Sequence, residues 1–331
     1  MDESNRHILV AAQAEAARKL AEGKKTEPDD NETYRGKEAE TSGASSAGTK
    51  LDLSADTNIA KVLGGYFSNP EIAQSFVNAG IAQIESMLPK AVRYADFGGG
   101  QGFLTKVVAE WLKSRSHTVD ATVIDANPTS LQVAQAEGLQ TQTCNLQDCT
   151  FAAADLITMR AVNHYNAPER QLEILRRALR SLKDNGFLVS QISSGSEENC
   201  RLRSEIVNLS SAGRVGSGER CHMTAVEEYK DILREAGFTR ITFAGYAPGS
   251  QWSPQEQWDR VYEKEMRDAT AQADTDKIKD INDRKKEFLV KAYDLINDYI
   301  QKYGADSLGI DFAAAGVATI HYQYPIIISQ K

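Results

Sequence analysis

The 331-residue sequence lacks several features that would mark its class at once. No apolar run approaches the roughly 20 residues that a helix needs to cross a bilayer, which excludes a helical membrane span. The one apolar stretch near the start, Ile8 to Ala12, is too short and too acidic in its flanks for a signal peptide, so a cytoplasmic location is expected. Its four cysteines, at 144, 149, 200 and 221, have no Cys-x2-Cys spacing and build no compact disulfide framework. Free thiols and no metal are expected. Basic residues are too few for an affinity built on phosphate neutralisation: 38 Lys plus Arg against 46 Asp plus Glu leave a net charge of −8. Nucleic acid is therefore not an expected partner. Residues 23 to 50 have almost no apolar content and are rich in Gly, Ser, Thr and charge, so residues 1–50 read as a disordered or partly helical tail.

What remains is ordinary for a globular protein, with 41% hydrophobic and 25% charged residues. From about Leu51, strand and helix patterns alternate. Asn69-Pro70 opens a helix through Ile72, Phe76 and Ile84 as an N-cap and first-turn pair. "RYADFGGGQGFLTK" (93 to 106) reads as strand, glycine turn and helix. "HTVDATVIDANP" is a second strand ending at Asp125, with Asn127-Pro128 starting its helix. "LQTQTCNLQD", "ADLITMRAV" and "FLVSQIS" supply three more strands; Pro168 opens the helix before the last of them, which is expected to stop at Asn185-Gly186. Thr224 to Glu227 has the form of a capping box for a helix ended by Gly237, and "TRITFAGY" follows as a sixth strand. "VATIHYQYPIIIS" is one long strand or two, with Pro325 as a bulge or edge marker. Between these strands, residues 254 to 303 carry two amphipathic stripes, hence two helices. Alternation of this kind predicts a doubly wound, mostly parallel seven-stranded α/β sheet with helices on both faces and a helical insertion before the last strand. The expected organisation is a tail at 1–50, a core at 51–252, an insertion at 253–310 and a strand segment at 311–331 that completes the sheet.

A glycine turn between strand and helix aims unpaired amide hydrogens at whatever lies above the strand. The dinucleotide fingerprint G-x-G-x-x-G is not satisfied, since Phe103 or Leu104 stands where its last glycine belongs. That disfavours a nicotinamide oxidoreductase. The spacing found is Asp96-x-Gly98-x-Gly100-x-Gly102, with an acid, Asp125, at the end of the next strand, where a carboxylate can accept both hydroxyls of a ribose.

The run "YADFGGGQGF", Asp125 in "VIDANP", "CNLQD", "ADLITMRAVNHY" and "LKDNGFLV", in this order, resembles the motif series of class I S-adenosylmethionine-dependent methyltransferases, especially small-molecule members, over about residues 60 to 246. The resemblance implies a Rossmann-like methyltransferase fold and S-adenosylmethionine as cofactor. Gly98, Gly99, Gly100 and Gly102 would form the loop under its methionine part, with Asp96 organising that loop. Asp125 would hold the ribose, and Ala126 and Asn127 would line the adenine side. The adenine contact falls to Asn145, next to Leu146, or to Asp148. Met159 and Arg160 would lie beneath the sulfonium, while His164 and Tyr165 would face the acceptor together with Tyr66, Trp252 and Trp258. His164, with His222 as second candidate, is the expected base if the acceptor loses a proton, because histidine titrates near neutral pH. The function implied is methyl transfer to a small molecule. Its alternatives are a non-catalytic binder or scaffold of the same fold, or a protein or RNA methyltransferase. The insertion is expected to cover the acceptor side and to offer a homodimer surface.

Overall fold

The computed structural model describes residues 66–210, 220–313 and 316–331. The expectation for the 1–50 tail and the Tyr66 side chain lie outside this part. Strands β1 (Ala91–Phe97), β2 (Thr118–Asp125), β3 (Gln140–Thr143), β4 (Ala154–Arg160), β5 (Leu182–Gln191), β6 (Arg240–Trp252), β7 (Ile310–Phe312) and β8 (Ala318–Gln330) form one sheet of eight strands, ordered β3-β2-β1-β4-β5-β8-β6 with β7 on β8. The first five strands in that order are mutually parallel, and β8 runs antiparallel to both β5 and β6. The order reverses between β1 and β4, where an open α/β sheet leaves a crevice at its carboxyl ends.

Helix starts follow the sequence closely. Helix α1 (Pro70–Phe76) is capped by Asn69, whose side chain accepts from the Glu71 and Ile72 amides, and its run continues through a π-helical segment, Val77–Ile81. Helix α2 is Phe103–Ser114, and α3 (Pro128–Ala136) is capped by the Asn127 side chain. Helix α4 (Pro168–Ser181) starts at its proline, as expected, but stops at Ser181; Asn185, at φ 66°, and Gly186 lie inside β5 instead. The Asn-Gly pair thus serves an irregular strand entry, at the register shift opposite Ala154 and Leu156 of β4. Helix α5 spans Glu197–Leu209 and α6 spans Val226–Ala236. The capping box expected at Thr224 does not form, because the N-cap is Ala225 and Thr224 is buried, while Gly237 does end α6 in the left-handed conformation. Helices α7 (Pro254–Ala271) and α8 (Thr275–Tyr303) are the two expected amphipathic helices, with a capping box between Ser253 and Glu256 opening the first.

Alternation along β1 divides the core. Tyr94 joins α1 and α2 on one face, with Phe76, Leu104 and Val108, whereas Ala95 and Phe97 join α4 and α6 on the other, with Ile174, Leu175 and Tyr229. A third cluster lies off the sheet, where Ile206 of α5, Trp258 of α7 and Phe288 and Ile296 of α8 close around the start of β8. Burying one stripe of each of these helices in a shared core is what lets so charged a segment hold helical structure. Pro325 sits in β8, a strand paired on both sides, rather than on an edge. Its missing amide falls opposite Tyr246, between the two register shifts of β6. Cys144, Cys149, Cys200 and Cys221 are all free thiols.

Candidate functional site

The loop from Gly98 to Gly102 joins β1 to α2 at the reversal point of the sheet. The Gly98 and Gly99 amides both donate to the Ile124 carbonyl of β2, at 2.7 and 3.3 Å, which draws the loop down onto the neighbouring strand. Gly98 has φ +73°, and a Cβ there would meet Val162 Cγ2 at 2.4 Å. Gly100 has φ +56° with open space on its Cβ side, so it is the position at which the backbone is laid bare.

Asp96 is 1% exposed and accepts from Thr105 Oγ1 of α2 and Thr158 Oγ1 of β4, each at 2.7 Å. With the Thr158 proton so committed, the Tyr94 hydroxyl donates to Thr158 Oγ1 at 2.8 Å, giving a buried relay from phenol to carboxylate. Burial raises the Asp96 pKa against the opposing pull of the two hydroxyls, and burial, then the Asp96 charge, lifts the Tyr94 phenol well above its ordinary value. Asp125 turns its carboxylate inward: Oδ2 accepts from the Gly100 amide at 3.0 Å and Oδ1 from the Asn127 amide at 2.8 Å. Each oxygen keeps acceptor capacity beyond these bonds.

A cavity of about 350 Å³ opens over this loop, lined by Asp96, Gly98, Gly99, Gly100, Gln101 and Asp125 on one side and by Arg160, Val162, Tyr165 and Phe67 on the other. Arg160 donates to the Phe67 carbonyl, and its guanidinium stands 5.3 Å from the Phe67 ring centroid. Thus the structure gathers Asp96, Gly98, Gly99, Gly100, Asp125, Arg160 and Tyr165 from the sequence expectation around one cavity. Gly102 is the left-handed N-cap of α2, just outside it. Ala126 and Asn127 are exposed at the start of α3; Leu146 and Met159 are buried in the core, and the Asn145 carbonyl accepts from the Asp148 amide in a turn.

His222 lies elsewhere. It bonds Glu228 Oε1 at 2.7 Å and lines a second cavity of about 660 Å³ with Glu169, Arg201 and Arg220. Trp252 and Trp258 are buried in the third core cluster, Trp258 stacked on Tyr262 with ring centroids 4.0 Å apart. Thr105 and Thr158, which hold Asp96, went unread in the sequence; the signal for each is a hydroxyl residue set among apolar ones on a buried face. Among the described residues, no group of three or more His, Cys, Asp or Glu could hold a metal ion.

His164 follows β4 and is 9% exposed, its ring 4.1 Å from that of Tyr165 and its Nδ1 without a protein partner. Burial, then the charges of Arg203 and Arg260, pull its pKa down to about 3. A neutral imidazole is therefore the resting form, which removes the titration near pH 7 that made it an attractive base. The sign of its effect on stability is fixed: between its folded pKa and the unfolded value of roughly 6.5, the unfolded chain binds a proton that the folded chain refuses, so stability falls as pH falls. Lowering pH from 7 to 5 is expected to lose about 2 kcal/mol through this residue. His164→Gln should show a correspondingly smaller loss in denaturant titrations at the two pH values, and an unchanged pH dependence would mean that the ring titrates normally.

Residues 95–188 match the family model of a methyltransferase domain. The fold is shared with the YcgJ protein of Bacillus subtilis, at a TM-score of 0.54 and 13% identity, covering 76% of this chain and 97% of that one. It is shared equally with a candidate methyltransferase from Bacillus halodurans, at a TM-score of 0.54 and 16% identity, covering 78% of this chain and 99% of that one. A comparison with curated proteins finds no match. The matched segment runs from β1 into β5 and contributes all of the cavity wall except Phe67 and Ser68. The chain thus carries, at residues 95–188, a region similar to a methyltransferase domain, which implies an enzyme that takes S-adenosylmethionine as cofactor.

Proposed function

We propose that the enzyme methylates a small-molecule acceptor, with the cofactor held in the cavity between the Gly98–Gly102 loop and Arg160. The observation that carries this reading is the pair Asp96 and Asp125 at the ends of adjacent strands, with the bare Gly100 backbone between them. Asp125 would accept the ribose hydroxyls with the lone pairs its two amide bonds leave free. Asp96, locked by Thr105 and Thr158, would keep the loop in place and offer negative charge to an amino group. Arg160 would pair with the cofactor carboxylate, and the rings of Phe67 and Tyr165 would present π faces to a sulfonium. When bound, the cofactor supplies a methyl group on a positively charged sulfur, an electrophile that needs alignment more than activation. Neutral His164 would act by hydrogen bonding beside the acceptor.

In this reading, the core at 51–252 and the strands at 311–331 hold the cofactor, and the segment at 253–310 covers the acceptor side and offers a homodimer surface. Support comes from Arg260 of α7, whose charge reaches both His164 and Tyr165. The buried Trp252 and Trp258 would hold that cover together from inside. Calorimetry tests the proposal: S-adenosylmethionine and its demethylated product S-adenosylhomocysteine should each bind one site per chain and raise the melting temperature. No heat and no thermal shift with either ligand would remove the cavity assignment.

A further inference from the structure

Helix α5 buries an arginine. Arg203 is 2% exposed, and its guanidinium lies 3.9 Å from the centroid of the Tyr322 ring of β8. Nη2 donates to Ser193 Oγ, Nη1 donates to Asn199 Oδ1 at a long 3.5 Å, and Nε has no protein partner. Among the described residues, no carboxylate forms an ion pair with it. Burial works against its charge, and the groups that favour it are the Cys200 thiol and the phenols of Tyr322, Tyr324 and Tyr165, none of them a carboxylate. Arginine is almost never fully buried unless paired, since an uncompensated buried charge is costly. Neutral hydroxyl and amide acceptors and one ring face do not supply the missing negative charge.

The surroundings of Arg203 share this incompleteness. At the carboxyl ends of β4 and β5, the side-chain amides of Asn163 and Gln191 and Nδ1 of His164 are buried without protein partners. Gln191 pairs in register with Arg160, which lines the cofactor cavity, and Tyr165 lines that cavity while feeling the charge of Arg203. A patch of unanswered donors and acceptors, with the buried cation Arg203 and several rings, therefore adjoins the cofactor cavity. Buried polar groups of a folded protein are otherwise almost always satisfied.

We infer that the methyl acceptor is a small aromatic acid whose carboxylate is paired by Arg203. A carboxylate can take two N–H bonds of a guanidinium side by side, and Nε with one terminal nitrogen forms such a fork. The amides of Asn163 and Gln191 offer both donors and acceptors to polar substituents of the acceptor, and Phe67, Tyr165 and Tyr324 offer aromatic surface. The anchoring carboxylate fixes the acceptor's orientation; which of its other atoms receives the methyl group is a separate matter.

This inference rests on the methyltransferase reading, so the experiment begins by saturating the protein with S-adenosylhomocysteine. Absence of heat at that stage would count against the cofactor site and is seen before any acid is added. Benzoate, 4-hydroxybenzoate and indole-3-acetate are then titrated at millimolar concentrations beside their methyl esters. At least one acid is expected to bind the complex with a clear preference over its ester. Arg203→Met should weaken that binding by about thirtyfold or more and leave S-adenosylhomocysteine affinity within about twofold. Arg203→Lys, which keeps the charge and loses the fork, should fall between. If Arg203→Met does not fold, the wild-type comparison of acid with ester and the lysine variant carry the test. Binding of no acid, equal binding of acids and esters, or undiminished acid binding by Arg203→Met would overturn the inference.

Discussion

Gly98→Ala is expected to cost about 3 kcal/mol of stability and to weaken S-adenosylhomocysteine binding by about a hundredfold or more. Two independent penalties combine there. The left-handed φ of +73° disfavours any side chain, and the new Cβ would press into the branched side chain of Val162, two residues past the end of β4. Relief requires the loop to lift off β2, which breaks the bonds from Gly98 and Gly99 to Ile124 and displaces the amide that Gly100 presents to Asp125. Gly100→Ala is the informative contrast. It shares the unfavourable φ, but its Cβ meets nothing within 4 Å, so stability should fall by only about 1 to 2 kcal/mol. Its methyl group would instead stand in the cavity, so cofactor affinity should fall out of proportion to stability. Denaturant unfolding and calorimetry on both variants separate the effects. Full affinity in Gly100→Ala would put the ligand elsewhere.

Asp125→Ala is expected to weaken cofactor binding by about ten- to a hundredfold, the worth of a charged hydrogen bond of roughly 1.5 to 3 kcal/mol. The same change strips partners from the Gly100 and Asn127 amides, so part of the loss will come through the loop itself. Asp125→Asn keeps one acceptor oxygen for those amides and separates the contributions: it should restore stability more fully than affinity. Equal affinity in all three proteins, read by calorimetry, would mean that Asp125 only fastens the loop.

Much of this arrangement was legible because it is local. Asn69-Pro70, Asn127-Pro128 and Gly237 mark helix ends by chemistry that acts within a few residues, and the glycine run marks its own turn. Readings failed where the deciding partner is distant in sequence. Asn185-Gly186 has the form of a helix stop, yet pairing with β4 starts the strand earlier and takes the pair into β5. Of the two readings of Pro325, the edge fails because β8 is enclosed by β5 and β6, whereas the bulge agrees with the register shifts of β6 on either side of it. His164 has neutral-pH chemistry by type, and only tertiary burial shows that it stays unprotonated. Arg203 left a readable sign: it falls at helical spacing with Asn199, Cys200, Ile206 and Val207, in the stripe that α5 buries. A charged residue in an apolar stripe marks a position where packing alone does not explain the side chain.

The pairing of β6 also bears on how the chain reaches this fold. Its ladder partner is β8, and residues 253–317 intervene, so an early-made strand must wait with its edge unsatisfied until a much later one arrives. Closing so long a loop is slow, and a waiting edge invites pairing with another chain. Helices α7 and α8 shorten that wait. They fold back on each other through local contacts, with Trp258 against Phe288 and Arg284 bonded to Glu265 at 3.1 Å. Once they do, the effective tether between β6 and β8 is far shorter than its residue count. The helical segment would then act as a clamp during assembly, drawing the last strand into the gap between β5 and β6.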